Sequence, residues 1–264
     1  MRIRGLAAGA ILLLCLTTAA VAAAELQEEA ARAYAVYAGR ATQAFVSRAR
    51  AAAPAAQFPE VRRDGDLAAR PAGEDGILEV PGGLVHHWAG AAFIGGVTLQ
   101  RALDVSMAYA DYHRVYEPIV ESRLLGREGD TFRVLFRIRE GVSGVSVILD
   151  VRSSVRYVYP RGGRAYVVSS AEEIRQVTDA GGGNEARLPP GQDSGYLWRA
   201  HALTSLIERD GGVYVEMETV GLSRGFPPML GWIIEPIARR LGRKSVEASL
   251  REFGDAVRAA RGGD

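Results

Sequence analysis

The sequence predicts an α+β domain in which a curved antiparallel sheet closes over one long C-terminal helix. Three observations predict it. Glu208, Arg209, Asp210, Gly211 and Gly212 join two strand-like segments, and an Asp-Gly-Gly turn tolerates the positive φ values a tight hairpin needs. Directly after the second strand, Pro227 and Pro228 open an apolar-striped segment that runs almost to the C-terminus. The elements before it come in the order strand, two short helices, then strands in series. A strongly bent sheet cannot set all its inner side chains against one helix, so a hollow is left, and a hollow favours binding over chemistry.

The chain opens on an export signal, residues 1–24. Arg2 and Arg4 form a basic start, an apolar run follows to Ala20, and Ala22, Ala23 and Ala24 fit a signal-peptidase site. The expected location is therefore exported, periplasmic or secreted. Cys15, the only cysteine, lies in the signal core behind Leu14, which does not suit lipidation. The mature chain then has no disulfide, thiolate ligand or thiol nucleophile. Removing Arg2 and Arg4 from 32 basic residues leaves 30 against 31 acidic ones. With no basic block or aromatic nucleic-acid motif, nucleic acid is not an expected partner.

Residues 25–53 read as an N-terminal helix, rich in Ala, Glu and Arg, with Tyr34, Tyr37, Ala41 and Phe45 at helical spacing. Whether it packs on the domain or extends from it stays open. Residues 54–76, polar and broken by Pro and Gly, read as a linker. The main domain is expected over 77–258, with a tail at 259–264. Its first strand covers 77–93 with an interruption at Pro81, Gly82 and Gly83. Helical pieces follow at 97–110 and 109–116, the second stopped by Pro118. Strands are expected at 119–125, 131–140, 145–159, 164–177, 196–207 and 213–223. The clearest alternation puts Phe132, Val134, Phe136 and Ile138 on one face and Arg133 and Arg137 on the other. Residues 178–193, with Gly181 to Gly183 and Pro189-Pro190-Gly191, read as a long loop. In the closing helix, Pro236 predicts a kink and Gly242 a break, with Ser245 capping the restart.

With this order of elements the chain resembles the START-like, polyketide cyclase-like (SRPBCC, helix-grip) superfamily, in its exported bacterial form. The resemblance covers about residues 77–257. It rests on Trp198-Arg199, on Gly211 to Glu216 running into Leu222-Ser223-Arg224, and on Gly231 to Pro236. It implies a seven-stranded curved antiparallel sheet wrapped around the C-terminal helix, with the N-terminal helix as an addition. It also implies an apolar cavity for a lipid or other hydrophobic small molecule, and no cofactor. The implied function is binding or carriage of that molecule in the cell envelope, with transient membrane contact. The alternative is a cyclase/dehydrase-type enzyme acting on a polyketide-like substrate in the same cavity. That reading needs Tyr157, Tyr166 or His201 inside, and the chain offers too few such groups to favour it.

No catalytic signature stands out. His86 and His87 are adjacent, so on a strand they face opposite ways, and His113 and His201 complete no ligand cluster; no metal is expected. Gly141, Ser143 and Gly144 miss the spacing of a nucleophile elbow. Glu216 and Glu218 share a face of one strand, with Arg199 as the expected partner. If they face outward, Val213, Val215, Met217 and Thr219 face in. With Arg199 outside, Trp198, Ala200 and Ala202 then line the hollow and His201 lies outside. Further expected walls are Trp88, Phe93, Tyr157, Tyr166, Leu230 and Ile234.

Overall fold

The computed structural model describes residues 24–51, 57–73, 75–142, 145–225 and 231–260. The expected signal up to residue 23, Ser143, Gly144, Pro227, Pro228 and Leu230 lie outside them, as do the side chains of 231–237, including Ile234 and Pro236.

The elements are β1 (Ala24–Glu25), α1 (Glu28–Ala51), β2 (Leu67–Pro71), β3 (Ile77–Val80), β4 (Gly83–Gly95), α2 (Leu99–Met107), a 3-10 turn at Tyr109–Asp111, and α3 (Tyr112–Val115). Then come β5 (Ile119–Glu128), β6 (Thr131–Val142), β7 (Val145–Val158), β8 (Arg164–Thr178), β9 (Ala186–Arg187), β10 (Gln192–Asp193), β11 (Arg199–Arg209), β12 (Gly212–Arg224) and α4 (Gly231–Ala259). The main sheet has ten strands, ordered β2-β4-β12-β11-β8-β7-β6-β5, with β3 beside β4 and β9 beside β8. The seven long strands are the expected ones. β2, β3 and β9 are short additions at the margins. All the pairings are antiparallel.

The last hairpin turns at Asp210 and Gly211, with φ of 56° and 76°, as the tight turn requires. The first-strand segment becomes β3 and β4, separated by the positive-φ turn at Gly82. The stretch expected as a linker contains β2, which adds an edge strand to β4. Phe58 and Val61 drive this by burying against Phe93 and Tyr214, and Asp66 fixes the turn by accepting from the backbone N–H groups of Arg62 and Arg63.

The sheet is covered on both faces. On the inner face α4 lays Val246, Leu250, Phe253 and Val257 against Trp88, Ala92, Val213 and Val215. α4 is continuous through Gly242, where a break was expected. The glycine is there for close approach: a Cβ would fall 2.3 Å from the Trp88 indole nitrogen.

On the outer face lies α1. Glu28 and Glu29 in its first turn and Arg48 and Arg50 in its last complement the helix dipole. Ala30, Tyr34 and Ala38 pack on Val85, Trp198, Val220 and Leu222, and Phe45 and Ala49 pack on Tyr166 and Leu203. The N-terminal helix is thus docked on the convex side, away from α4.

Candidate functional site

Cross-strand register decides which side chains face α4. Val215 pairs with Ala92 on β4 and with Leu206 on β11, which fixes the inward set as odd residues on β12 and even residues on β4 and β11. Two apolar clusters occupy this inner face. One gathers Phe132, Val134, Val155, Tyr157 and Leu206 beneath α4. The other gathers Val147, Leu149, Val151 and Ile174, with Ile138 and Ala200 packed against it.

Between them runs a belt of small side chains. One row crosses the sheet as Ser169, Ala202, Thr219 and Trp88. The next contains Ser153 beside Ala171, and Ala200, Gly221 and His86. These residues lie mid-sheet on the covered face, yet Ser169, Ala171, Ala200, Ala202, Met217 and Thr219 are only half-buried. Small side chains that stay accessible on the concave face of a curved sheet leave room for a hollow.

Trp88, Tyr157, Ala200, Ala202, Val215 and Met217 all belong to this inner face. Phe93, Tyr166 and Trp198 do not, and their expected inward direction is corrected by the register. Phe93 packs on Tyr214 with the rings tilted and their centroids 4.6 Å apart, in the outer cluster with Phe58. Tyr166 lies under Phe45 of α1. Trp198 precedes the β11 ladder, so the alternation that sends Ala200 inward does not reach it. It packs beneath α1 and its indole donates to Asp193 Oδ1 at 3.1 Å.

Polar groups on the inner face are few and held. His86 Nε2 lies 2.8 Å from Ser223 Oγ, and burial pushes its pKa down, which favours the neutral ring. Tyr157 donates to the Ser106 carbonyl at 2.7 Å and meets the Tyr109 hydroxyl at 2.6 Å; burial holds both phenols above the ordinary tyrosine range. Burial raises the Glu140 carboxyl, which accepts from Tyr196 at 3.4 Å. The indole N–H of Trp88 has no hydrogen-bond partner among the described residues. His201 lies on the outer face, where Tyr34 reaches its Nδ1 at 2.8 Å and Ser170 its Nε2 at 3.2 Å. Among the described residues no acid and base converge on this face. Its chemistry is apolar contact with a few orienting polar atoms.

His86, Ser153, Ser169 and Ala171 were not among the expected wall residues. The bulge between Ala171 and Glu173 shifts the parity of β8, and no local signal in the sequence marks it.

The paired carboxylates serve a different purpose. Glu216 and Glu218 face outward as expected, but their partner is Arg48 of α1. Arg199 donates instead to the neighbouring Trp198 carbonyl at 2.8 Å. Glu218 is almost fully buried and also meets His87 Nε2 at 3.2 Å, whose Nδ1 lies 3.0 Å from Tyr37 Oη. Gln57 donates to both carboxylates, at 3.1 and 3.3 Å. Burial raises the Glu216 pKa. For Glu218 burial acts in the same direction, but His87, Arg48 and Gln57 together outweigh it and lower the pKa. This network pins α1 to the sheet. Among the described residues no group of His, Cys, Asp and Glu is arranged to hold a metal ion, and no helix is long and apolar enough to cross a membrane.

No protein-family model matches the sequence, and no curated protein matches it. Solved structures do. Human StAR-related lipid transfer protein 5 superposes with a TM-score of 0.51 at 12% identity, covering 89% of this chain and 99% of its own. A STAR-related lipid transfer protein fragment from Xanthomonas axonopodis gives 0.47 at 14% identity, covering 73% and 98%. The Zhui aromatase/cyclase from a Streptomyces species gives 0.43 at 14% identity, covering 67% and 97%. The element order, the sheet curved around α4 and the match over nearly the whole length of the human protein establish that this chain has the START-like helix-grip fold.

Proposed function

We propose that this protein is exported to the cell envelope and binds or carries a hydrophobic small molecule or lipid in the hollow between the sheet and α4. One observation carries the reading. Mid-sheet residues that a well-packed core would bury, Ala200, Ala202, Met217 and Thr219, keep accessible surface on the concave face. Trp88, Tyr157, Val215 and Met217 supply apolar and adaptable walls. Cargo would be held by burial, at roughly 25 cal/mol per Å² of apolar area removed from water. The lipid-transfer proteins named above share the fold and supply a precedent for such cargo.

Native mass spectrometry of the protein recovered from its producing cells, followed by organic extraction, tests the reading. A discrete extractable lipid-like mass is the expected result. An empty protein that also fails to bind a panel of lipids and apolar fluorophores overturns it.

A further inference from the structure

β1 leads from the expected cleavage site straight into α1, and it pairs with a buried acid. Ala24 stands opposite Asp193 of β10 and Glu25 opposite Gln192, and the Leu26 N–H donates to the Gly191 carbonyl at 2.7 Å. Directly opposed residues share a face, with Cβ atoms about 4.5–5.5 Å apart. Ala24 and Leu26 pack against the cluster of Trp198 and Leu222 on which α1 is seated.

Asp193 is 2% exposed. Its Oδ1 accepts from the Gly195 N–H at 2.7 Å and from the Trp198 indole at 3.1 Å. Its Oδ2 is also buried, and among the described residues it has neither a hydrogen-bond partner nor a cation. Burial pushes the carboxyl's pKa up against those two donors. The other buried carboxylates differ: Glu218 has Arg48, and Asp150 has Arg137 and Arg187. A carboxylate withdrawn from water without a counter-charge is destabilising, and a cation brought beside it relieves the penalty.

The export reading supplies that cation. A signal peptidase cutting after Ala24 breaks the Ala24–Glu25 amide with one water, leaving a carboxylate on Ala24 and an ammonium group on Glu25. Before the cut this nitrogen is a neutral amide, and Ala24 occupies the place opposite Asp193. After the cut that place is vacated, and a cation with three donors stands one residue away in the register.

We propose that the terminal ammonium group of Glu25, made by removal of the signal, pairs with Asp193 Oδ2 and locks β1, and with it the start of α1, onto the body of the protein. The lock rests on the export reading given above. It ties the last contact of the fold to processing: the precursor lacks the charge, and the mature chain carries it.

Lys244 is the only lysine, so Lys244→Arg makes the terminal amine the only primary amine of the mature chain. The full chain with this change is expressed with its signal, and the protein recovered from the cell envelope is weighed intact. The expected mass is that of a chain beginning at Glu25. The amine is then acetylated with an acetyl succinimidyl ester over a range of pH, folded and in urea, and the N-terminal peptide is quantified. An unpaired terminal amine titrates at about 7.7–8.0, and a neighbouring carboxylate raises that value. In the folded protein the midpoint of reactivity should lie about one pH unit above that in urea, a roughly tenfold slower reaction at neutral pH. Asp193→Asn keeps the Oδ1 acceptor for Gly195 and Trp198 and removes the charge, so it should bring the folded midpoint down to the urea value. Equal midpoints in the folded and urea-unfolded parent overturn the lock while the export reading stands, and this comparison needs no Asp193 variant. A raised midpoint that survives Asp193→Asn also overturns it. A recovered chain that begins elsewhere overturns the cleavage site and the lock together.

Discussion

Gly242 of α4 lies against the indole of Trp88: a Cβ there would stand 2.3 Å from Nε1 and 2.6 Å from Cε2. Gly90, on the same strand as Trp88, plays the matching part, where a Cβ would meet Val246 Cγ1 at 2.6 Å and Leu250 Cδ1 at 2.8 Å. The closing helix thus seats on β4 through two glycines. Beside this contact the sheet curves away, and the belt of small residues stays accessible.

Gly242→Ala follows from that contact. Helix propensity alone would favour alanine by about 1 kcal/mol. The methyl group must displace the Trp88 ring or lift α4, and overpacking of this kind costs about 1–3 kcal/mol. The expected outcome is a lower urea midpoint with an unchanged slope. A raised midpoint would mean that α4 shifts without cost and that the glycine contact does not set its position.

Much of the fold was legible in the sequence. The seven long strands could be read because turn residues such as Asp210 and Gly211 punctuate alternating segments such as Thr131 to Glu140. Gly242 was misread as a break because its reason is tertiary: nothing nearby in the chain announces the Trp88 ring. The site was legible only in part. Outward Glu216 and Glu218 correctly implied inward Val215 and Met217 on the same strand. Phe93 and Tyr166 were placed by the assumption that large aromatics point to a single core. Here α1 and the segment around Phe58 give the outer face cores of its own, and alternation cannot tell which of two covered faces holds the hollow.

Phe45 is 1% exposed, lodged between α1 and the Tyr166–Leu203 region of the sheet. Phe45→Ala removes most of the apolar contact at the C-terminal half of α1. The expected loss is about 3–5 kcal/mol of stability, with faster hydrogen exchange in α1 and in β11 beneath it. Exchange that rises equally in β5 and β6 would show that α1 does not open as a separate unit.

Acid should loosen the same helix. The folded-state pKa of Glu218 is lowered, so its contribution is complete above the unfolded value of about 4.3 and is lost as pH falls through the folded value. Asp150 follows the same sign: burial raises its carboxyl, but Arg137 and Arg187 outweigh that and lower it. Glu216, raised by burial, has the opposite sign and gains as pH falls. Glu218→Gln should lower stability at pH 7 by about 1–3 kcal/mol, because it removes the buried charged acceptor shared by Arg48 and His87, while Arg48 keeps Glu216. It should also reduce the decline between pH 5 and 3 seen in denaturant titrations of the parent. An equal decline in both proteins would assign the acid sensitivity to other carboxylates.

Ala202 offers the sharpest test of the hollow, because it lies between Ser169 and Thr219 in the belt and is only half-buried. If the space above it is open, Ala202→Phe fills that space without strain. Stability should then change by less than about 1 kcal/mol, since overpacking penalties arise only where the core is already full. Affinity for apolar ligands should fall at least tenfold, because the new ring occupies the area the ligand would bury. The two readouts separate the alternatives: a loss of 1–3 kcal/mol in the empty protein would mark Ala202 as packed core, while unchanged ligand affinity in a stable variant would place the cargo elsewhere. Ala200→Phe, at the border of the second apolar cluster, should give the same pair of results if the hollow spans both rows.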